Sequence, residues 1–295
     1  MLHGRTRGLK VTTNSPQKVV VDGEPIGTTS IKIECIPADL TMFLPEILAR
    51  EQRFFYLQLM QTPRRLVIQI ARLFPEAVFY KATSKKIVAL TIDDVPTPGE
   101  ADDASTYLIL DAISAHNQGI ETLSERTRAT FFIISSHLGN KTMILDRIVE
   151  QGHEIGNHGM ADETTALLQP EVFAAQLIAA HQRITLQHHQ SLRWYRPGRG
   201  LYNQAMLRCL QQIPGYVPLF ALASMLPVDT FKPTDDVSFT AWYITQHIFP
   251  GAILVLHGGS AERCSQTAKA LALILAELKQ RNYQTVTLSE LWGST

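Results

Sequence analysis

KKIVALTIDDVP, residues 85–96, is the stretch on which the reading of this chain turns. Ile87, Val88, Ala89, Leu90 and Ile92 form a near-continuous apolar run, as expected of a parallel strand covered on both faces. Such a strand should continue into an ordinary connection, yet this one delivers two like charges, Asp93 and Asp94, at its end. Adjacent carboxylates in a cleft stay ionised together only beside a cation, either a metal ion or an arginine. The pattern recurs along the chain: AILVL (252–256) runs into His257, HEIGN (153–157) into His158, and RWY (193–195) into Arg196. In a barrel of parallel strands the strand ends converge on one face, where the chemistry is done. The chain therefore reads as an enzyme with a metal.

Working outward, residues 85–295 alternate strand and helix patterns. IVALTI (87–92), TRATFFII (127–134), GHEIGN (152–157), RWYRP (193–197), GAILVLH (251–257) and YQTVTL (283–288) are predicted strands. Helical periodicity fills the intervals at 105–117, 141–151, 170–187 and 265–282. This alternation predicts an α/β fold built on a parallel sheet or barrel. Neither GxGxxG nor GxxxxGK follows any strand, which argues against nucleotide-dependent chemistry.

Two further segments precede this one. Residues 1–44 read as β-rich, with Asp22-Gly23 as a hairpin turn between β-branched runs. About forty residues are too few for an independent β domain, so the piece needs a neighbour to bury one face. Residues 45–84 read as a helical connector, PEILAREQRFFYLQLM and then PRRLVIQIARLF, broken before Pro63. Its arginines (Arg50, Arg53, Arg64, Arg65, Arg72) interleave with apolar residues. Two readings stand: a helix packed on the barrel with arginines outward, or a basic amphipathic helix in peripheral contact with an anionic membrane.

Composition removes several alternatives. The 295 residues are 45% hydrophobic with zero formal net charge, which suits a globular core and gives no footprint for nucleic acid. Three separated cysteines (Cys35, Cys209, Cys264) have neither metal-knuckle nor disulfide-framework spacing and are expected to be free. MLHGRTRGLKVTT lacks the apolar stretch of a signal peptide, and no run is long enough to span a bilayer, so a cytoplasmic location is expected.

The candidate site follows from these strand ends. His158 and Asp162 are four apart, a spacing that on a helical turn puts both on one face within reach of one ion. With Asp94 they would supply three protein ligands and leave a position open. Asp93 would then be free as a base, Arg196 would hold it ionised, and His257 could be the acid. That set suits metal-assisted hydrolysis of an amide or ester.

These residues resemble the polysaccharide deacetylases with a NodB-homology domain, the fourth family of carbohydrate esterases. The resemblance runs through residues 85–295 in the family's order. TIDDVP (91–96) is similar to TFDDGP, GHEIGNHGMAD (152–162) to GHEIGNHTxxH, WYRPGRGLYN (194–203) to the RxP motif, and VLHGG (255–259) to the closing LLHD motif. The resemblance implies a distorted (β/α) barrel with fewer than eight strands and one divalent metal, zinc first, with manganese or cobalt as alternatives. It implies Asp93 as base, Asp94 and His158 as metal ligands, Arg196 as the partner of the base and His257 as general acid. An Asp that orients this histidine is also implied, for which Asp229 competes with Asp235 and Asp236. The implied reaction removes acetyl from N-acetylated carbohydrate such as chitooligosaccharide, peptidoglycan or a lipid-linked amino sugar.

Two departures matter. Val95 stands where the family has glycine, which predicts an altered turn or a narrower approach. Asp162 stands where the family has its second metal histidine; a carboxylate there makes the ion less positive and shifts preference toward harder metals. These departures motivate an alternative, a catalytically inactive module that binds glycan or a protein partner. Trp194, Tyr195, Tyr202, Trp242 and Tyr243 are either sugar-stacking platforms or core residues. Residues 16–45, containing VVVDGE, resemble the C-terminal end of bacterial diacylglycerol-kinase-like lipid kinases; the nucleotide-binding lobe is absent, so kinase activity is not implied. Oligomeric state is left open by the sequence.

Overall fold

The structure is a computed structural model that describes residues 8–11, 18–21, 24–28, 31–34, 64–139, 143–187, 191–231 and 235–293. The chain divides into two units, Met1–Ala49 and Arg50–Thr295. In the first, strands β1 (Gly8–Val11) and β4 (Ile31–Glu34) pair antiparallel, as do β2 (Lys18–Val21) and β3 (Glu24–Thr28). β2 and β3 flank the expected turn at residues 22–23, which themselves lie outside the described residues, as do Cys35 and the first half of the connector.

Among its described residues, the second unit begins with helix α1 (Arg64–Leu73) and the two-residue strand β5 (Ala77–Val78). Strands β6 (Ile87–Val95), β7 (Ala129–Ile133), β8 (Glu154–Asn157), β9 (Phe220–Ala221), β10 (Ile253–His257) and β11 (Gln284–Val286) follow. Between and after them run α2 (Ala104–His116), α3 (Ile144–Glu150), α4 (Pro170–Gln187), α5 (Gln204–Gln211), α6 (Val237–His247), α7 (Ala261–Gln280) and α8 (Leu288–Gly293). Every pairing among β6, β7, β8 and β10 is parallel, in the order β10-β6-β7-β8. β11 pairs with the first residues of β6, where Ala89 has Val286 on one side and Ile253 on the other. β11 therefore occupies the edge that β7 takes over from Leu90 onward.

The sheet closes on itself through very short contacts. Asn157 at the end of β8 bridges Tyr195, Tyr195 bridges Phe220, and β9 pairs with β5. Tyr80, just beyond β5, then bridges Ala252 ahead of β10. Among the described residues the ring has seven staves (β10, β6, β7, β8, the Tyr195 segment, β9 and β5), a distorted barrel whose pairings are parallel except for the antiparallel Tyr80–Ala252 bridge, with helices outside. Two staves differ from the sequence expectation: residues 77–78 lie in the segment read as helical connector, and β9 has no alternation to announce it.

The reasons for these elements are local. β6 is buried along nearly its whole length, so it must be apolar on both faces. α5, α6 and α7 begin at Asn203, Asp236 and Ser260, whose side chains accept backbone N–H groups of Met206, Phe239 and Arg263. In α1, Val67 is buried in the main core while all three arginines are exposed. Cys209 and Cys264 are free. Among the described residues no helix is long and apolar enough to cross a membrane.

Candidate active site

Consecutive residues of a strand point to opposite faces, so Asp93 and Asp94 could not both enter one cleft from a regular β6. The ladder to β7 solves this with a bulge. Ile92 pairs with Phe131 and Val95 with Ile133, so β6 advances three residues while β7 advances two. Asp94 sits at φ 64, in the left-handed region that Asp tolerates better than most residues. Both carboxylates consequently line one cleft of about 450 Å³ at the strand ends. Val95 returns to the core, fully buried, and does not line the cleft. Its replacement of glycine does not narrow the approach, because the side chain turns into the core.

Asp93 is buried against a buried cation. Arg196 Nη1 donates to Asp93 Oδ1 at 2.6 Å and to Thr91 Oγ1 at 2.7 Å. Arg196 Nε donates to the Ala221 carbonyl at 3.0 Å and Nη2 to that of Leu222 at 3.3 Å. The guanidinium lies over the Phe132 ring, 4.1 Å from its centroid. That ring needs Gly156 beside it, since a Cβ there would stand 2.6 Å from Phe132 Cε1. The glycine of HEIGN thus supports the ring on which the arginine rests.

His158 is fixed from behind. Its Nδ1 donates to the Arg196 carbonyl at 2.9 Å, which turns Nε2 toward the carboxylates. Nε2 is 3.2 Å from Asp94 Oδ1 and 3.8 Å from Asp93 Oδ2. Burial pushes the Asp94 carboxyl up, but the hydrogen bond and charge of His158 outweigh it and hold it at about 2. Burial likewise pushes His158 down, and the charge of Asp93 with the hydrogen bond of Asp94 raises it overall. An imidazole nitrogen and a carboxylate oxygen converging this way fit the donor set of a divalent metal.

Opposite them, His257 Nδ1 lies 3.0 Å from Asp229 Oδ2, and the His257 backbone N–H donates to the same oxygen at 2.8 Å. Asp229 is therefore the aspartate that meets this histidine; Asp236 caps α6 instead. Burial lowers the His257 pKa, but the Asp229 charge and hydrogen bond, then Asp93 and Asp94, raise it to about 9. Nε2 is left as the ring nitrogen turned away from Asp229.

Asp162 behaves differently. Residues 160–163 form bends rather than a helical turn, so the four-residue spacing does not align Asp162 with His158. Its carboxylate meets Arg199 Nη2 at 2.9 Å (Oδ1) and 3.0 Å (Oδ2), with both side chains about half exposed. Arg199 follows Gly198, where a Cβ would stand 2.0 Å from the Glu163 carbonyl oxygen. That close approach of the two loops sets Arg199 over Asp162. Both line the cleft, but among the described residues no three His, Cys, Asp or Glu side chains gather as one metal-holding group.

None of the five aromatics considered for sugar stacking lines this cleft. Trp194, Tyr195 and Tyr243 are fully buried, Tyr202 packs on Phe220, and Trp242 on Phe239. The aromatic walls are Phe79, which follows β5, and Phe231, two residues past Asp229. Phe79 carried no sequence signal, Arg199 only its place inside WYRPGRGLYN, and Phe231 only its closeness to Asp229.

Comparison with known proteins finds similarity to deacetylases and to a family 4 esterase. A family profile described as polysaccharide deacetylase matches residues 80–217, which include Asp93, Asp94, His158, Asp162 and Arg196. A peptidoglycan-N-acetylglucosamine deacetylase of Bacillus cereus is 29% identical over 208 residues, covering 70% of this chain and 89% of the relative. A chitooligosaccharide deacetylase of Bradyrhizobium is 28% identical over 216 residues, covering 69% and 90%. Among solved structures, a family 4 acetyl xylan esterase from Clostridium thermocellum with a cobalt ion superposes with a TM-score of 0.58. It is 25% identical, over 70% of this chain and 90% of its own. The resemblance of residues 16–45 to lipid kinases draws no support from these matches.

Proposed function

We propose that this chain is a metal-dependent hydrolase that removes acetyl groups from N-acetylated saccharides, a reading supported by the match of residues 80–217 to the polysaccharide deacetylase profile. Chitooligosaccharide, peptidoglycan and lipid-linked amino sugars are the substrate classes. One observation carries the reading: a buried Asp93–Arg196 pair, an Asp94–His158 pair and His257, backed by Asp229, all meet at a single cleft.

Asp94 and His158 would hold a divalent cation, with zinc first and manganese or cobalt next, and Asp162 would join once Arg199 releases it. When bound, such an ion supplies Lewis-acid polarisation of the acetyl carbonyl and lowers the pKa of water. Asp93, paired with and aimed by Arg196, takes a proton from the water that attacks the carbonyl carbon. His257 donates a proton from Nε2 to the sugar nitrogen as the carbon–nitrogen bond breaks. Asp229 holds the other ring nitrogen and stabilises the imidazolium. Acetate and the free amino sugar leave.

The test is acetate release from chitooligosaccharides by the metal-loaded protein, with acetylated xylan as an ester control. Asp93→Asn should lower the rate by roughly two to four orders of magnitude at unchanged metal content. Full activity in that variant would remove Asp93 as base. The second reading, an inactive glycan- or partner-binding module, is favoured by the Arg199–Asp162 pair. It requires a wild-type protein that releases no acetate at all.

A further inference from the structure

Helix α1 packs on the barrel by a narrow face. Val67 is 2% exposed and joins the main core. Ala71, one turn on, is partly buried. A helix held that way should present a polar outer surface. Instead Leu66, Leu73 and Phe74 are 45%, 75% and 48% exposed. Phe74 still donates its N–H to the Ile70 carbonyl at 3.0 Å, so the helical winding carries through it. Positions 66, 70, 73 and 74 follow the i, i+4, i+7, i+8 rule and form one outward apolar stripe. Arg65, Gln69 and Arg72 follow the i, i+4, i+7 rule and border it, all exposed. Segment 64–75 contains three arginines and no acidic residue, and the nearby Glu76 is engaged by Gln204 Nε2 at 2.7 Å.

Packing with arginines outward explains Val67 but not this second stripe. We propose that α1 is an interfacial anchor that lies on an anionic lipid membrane. Leu66, Leu73 and Phe74 would enter the boundary between head groups and acyl chains, and Arg65 and Arg72 would meet lipid phosphates. Apolar side chains protruding beside arginines find both hydrocarbon and negative charge in such a surface. This anchor is separate from the hydrolytic cleft, since no residue of α1 lines it.

The experiment is cosedimentation of the full chain with phosphatidylglycerol-containing vesicles and with vesicles of phosphatidylcholine alone, at low and high salt. The expected result is binding to the anionic vesicles only, weakened by salt. The double variant Leu73→Ser with Phe74→Ser should bind about tenfold less or worse. Arg65→Gln and Arg72→Gln should each cost about fivefold. Unchanged thermal melting and acetate release would show that the variants are folded. The proposal is overturned by absence of binding to phosphatidylglycerol vesicles, by equal binding to phosphatidylcholine, or by variants that bind like wild type. It is overturned as well if sedimentation velocity shows a dimer that the Leu73→Ser, Phe74→Ser variant breaks, because a second copy would then cover the stripe.

Discussion

Arg196 Nη1 stands 2.6 Å from Asp93 Oδ1 and 2.7 Å from Thr91 Oγ1, so one guanidinium ties the proposed base to the strand that carries it. Both partners of the ion pair are buried. The same arginine offers its carbonyl to His158, so the two halves of the cleft floor share a single residue.

Removing the arginine should therefore cost stability as well as activity. Arg196→Met leaves the Asp93 charge buried without its partner, a change expected to destabilise by about 3–5 kcal/mol. Adding Asp93→Asn removes the orphaned charge and should restore part of that loss. Denaturant unfolding of the two single variants and the double variant measures the coupling, and strictly additive effects would contradict a shared pair.

Asp229 tunes the proposed acid, His257. A general acid works below its pKa, so activity falls as pH rises through the His257 value, about 9 before any bound cation lowers it. Asp229→Asn removes the largest influence that raises it. The alkaline limb of kcat/KM should then move to lower pH by about one unit or more. An alkaline limb that stays in place would dissociate Asp229 from the titrating group.

Asp162 is contested between Arg199 and a metal. Asp162→Ala should sharply lower metal occupancy, and Arg199→Gln should tighten metal binding by releasing the carboxylate. The exposed ion pair is worth about 0.2–1 kcal/mol, so the tightening should not exceed about fivefold. Titration calorimetry reads both. Unchanged metal affinity in Asp162→Ala would remove it from the ligand set.

Gly198 has no room for a side chain. Its Cβ would stand 2.0 Å from the Glu163 carbonyl oxygen, a backbone atom that cannot swing aside. Gly198→Ala should destabilise by about 1–3 kcal/mol and separate Arg199 from Asp162. A thermal melt identical to wild type would show that the two loops can part freely.

Much of this site was legible because parallel strands deliver their last residues to one rim. Asp93, His158, Arg196 and His257 follow apolar runs, and all four line the cleft. Asp94 was legible as a residue but not as a geometry, since only the bulge with its positive φ brings it alongside Asp93. The helical spacing invoked for Asp162 does not apply, because a four-residue spacing aligns side chains only on a helix and here the backbone bends. Barrel closure was hidden for a related reason: Ala77–Val78 and Phe220–Ala221 are too short for alternation to register. The aromatic candidates do not reach the cleft because Trp194 and Tyr195 are buried in the two separate core clusters flanking their stave, where bulk serves packing.

Anomalous diffraction from crystals grown with zinc, and in parallel with cobalt, tests the central claim most directly. The account predicts one strong peak within coordination distance of Asp94 and His158 Nε2, about 2.0–2.2 Å for zinc. A cleft in which neither side chain touches the ion, with the metal absent or bound elsewhere, would contradict it.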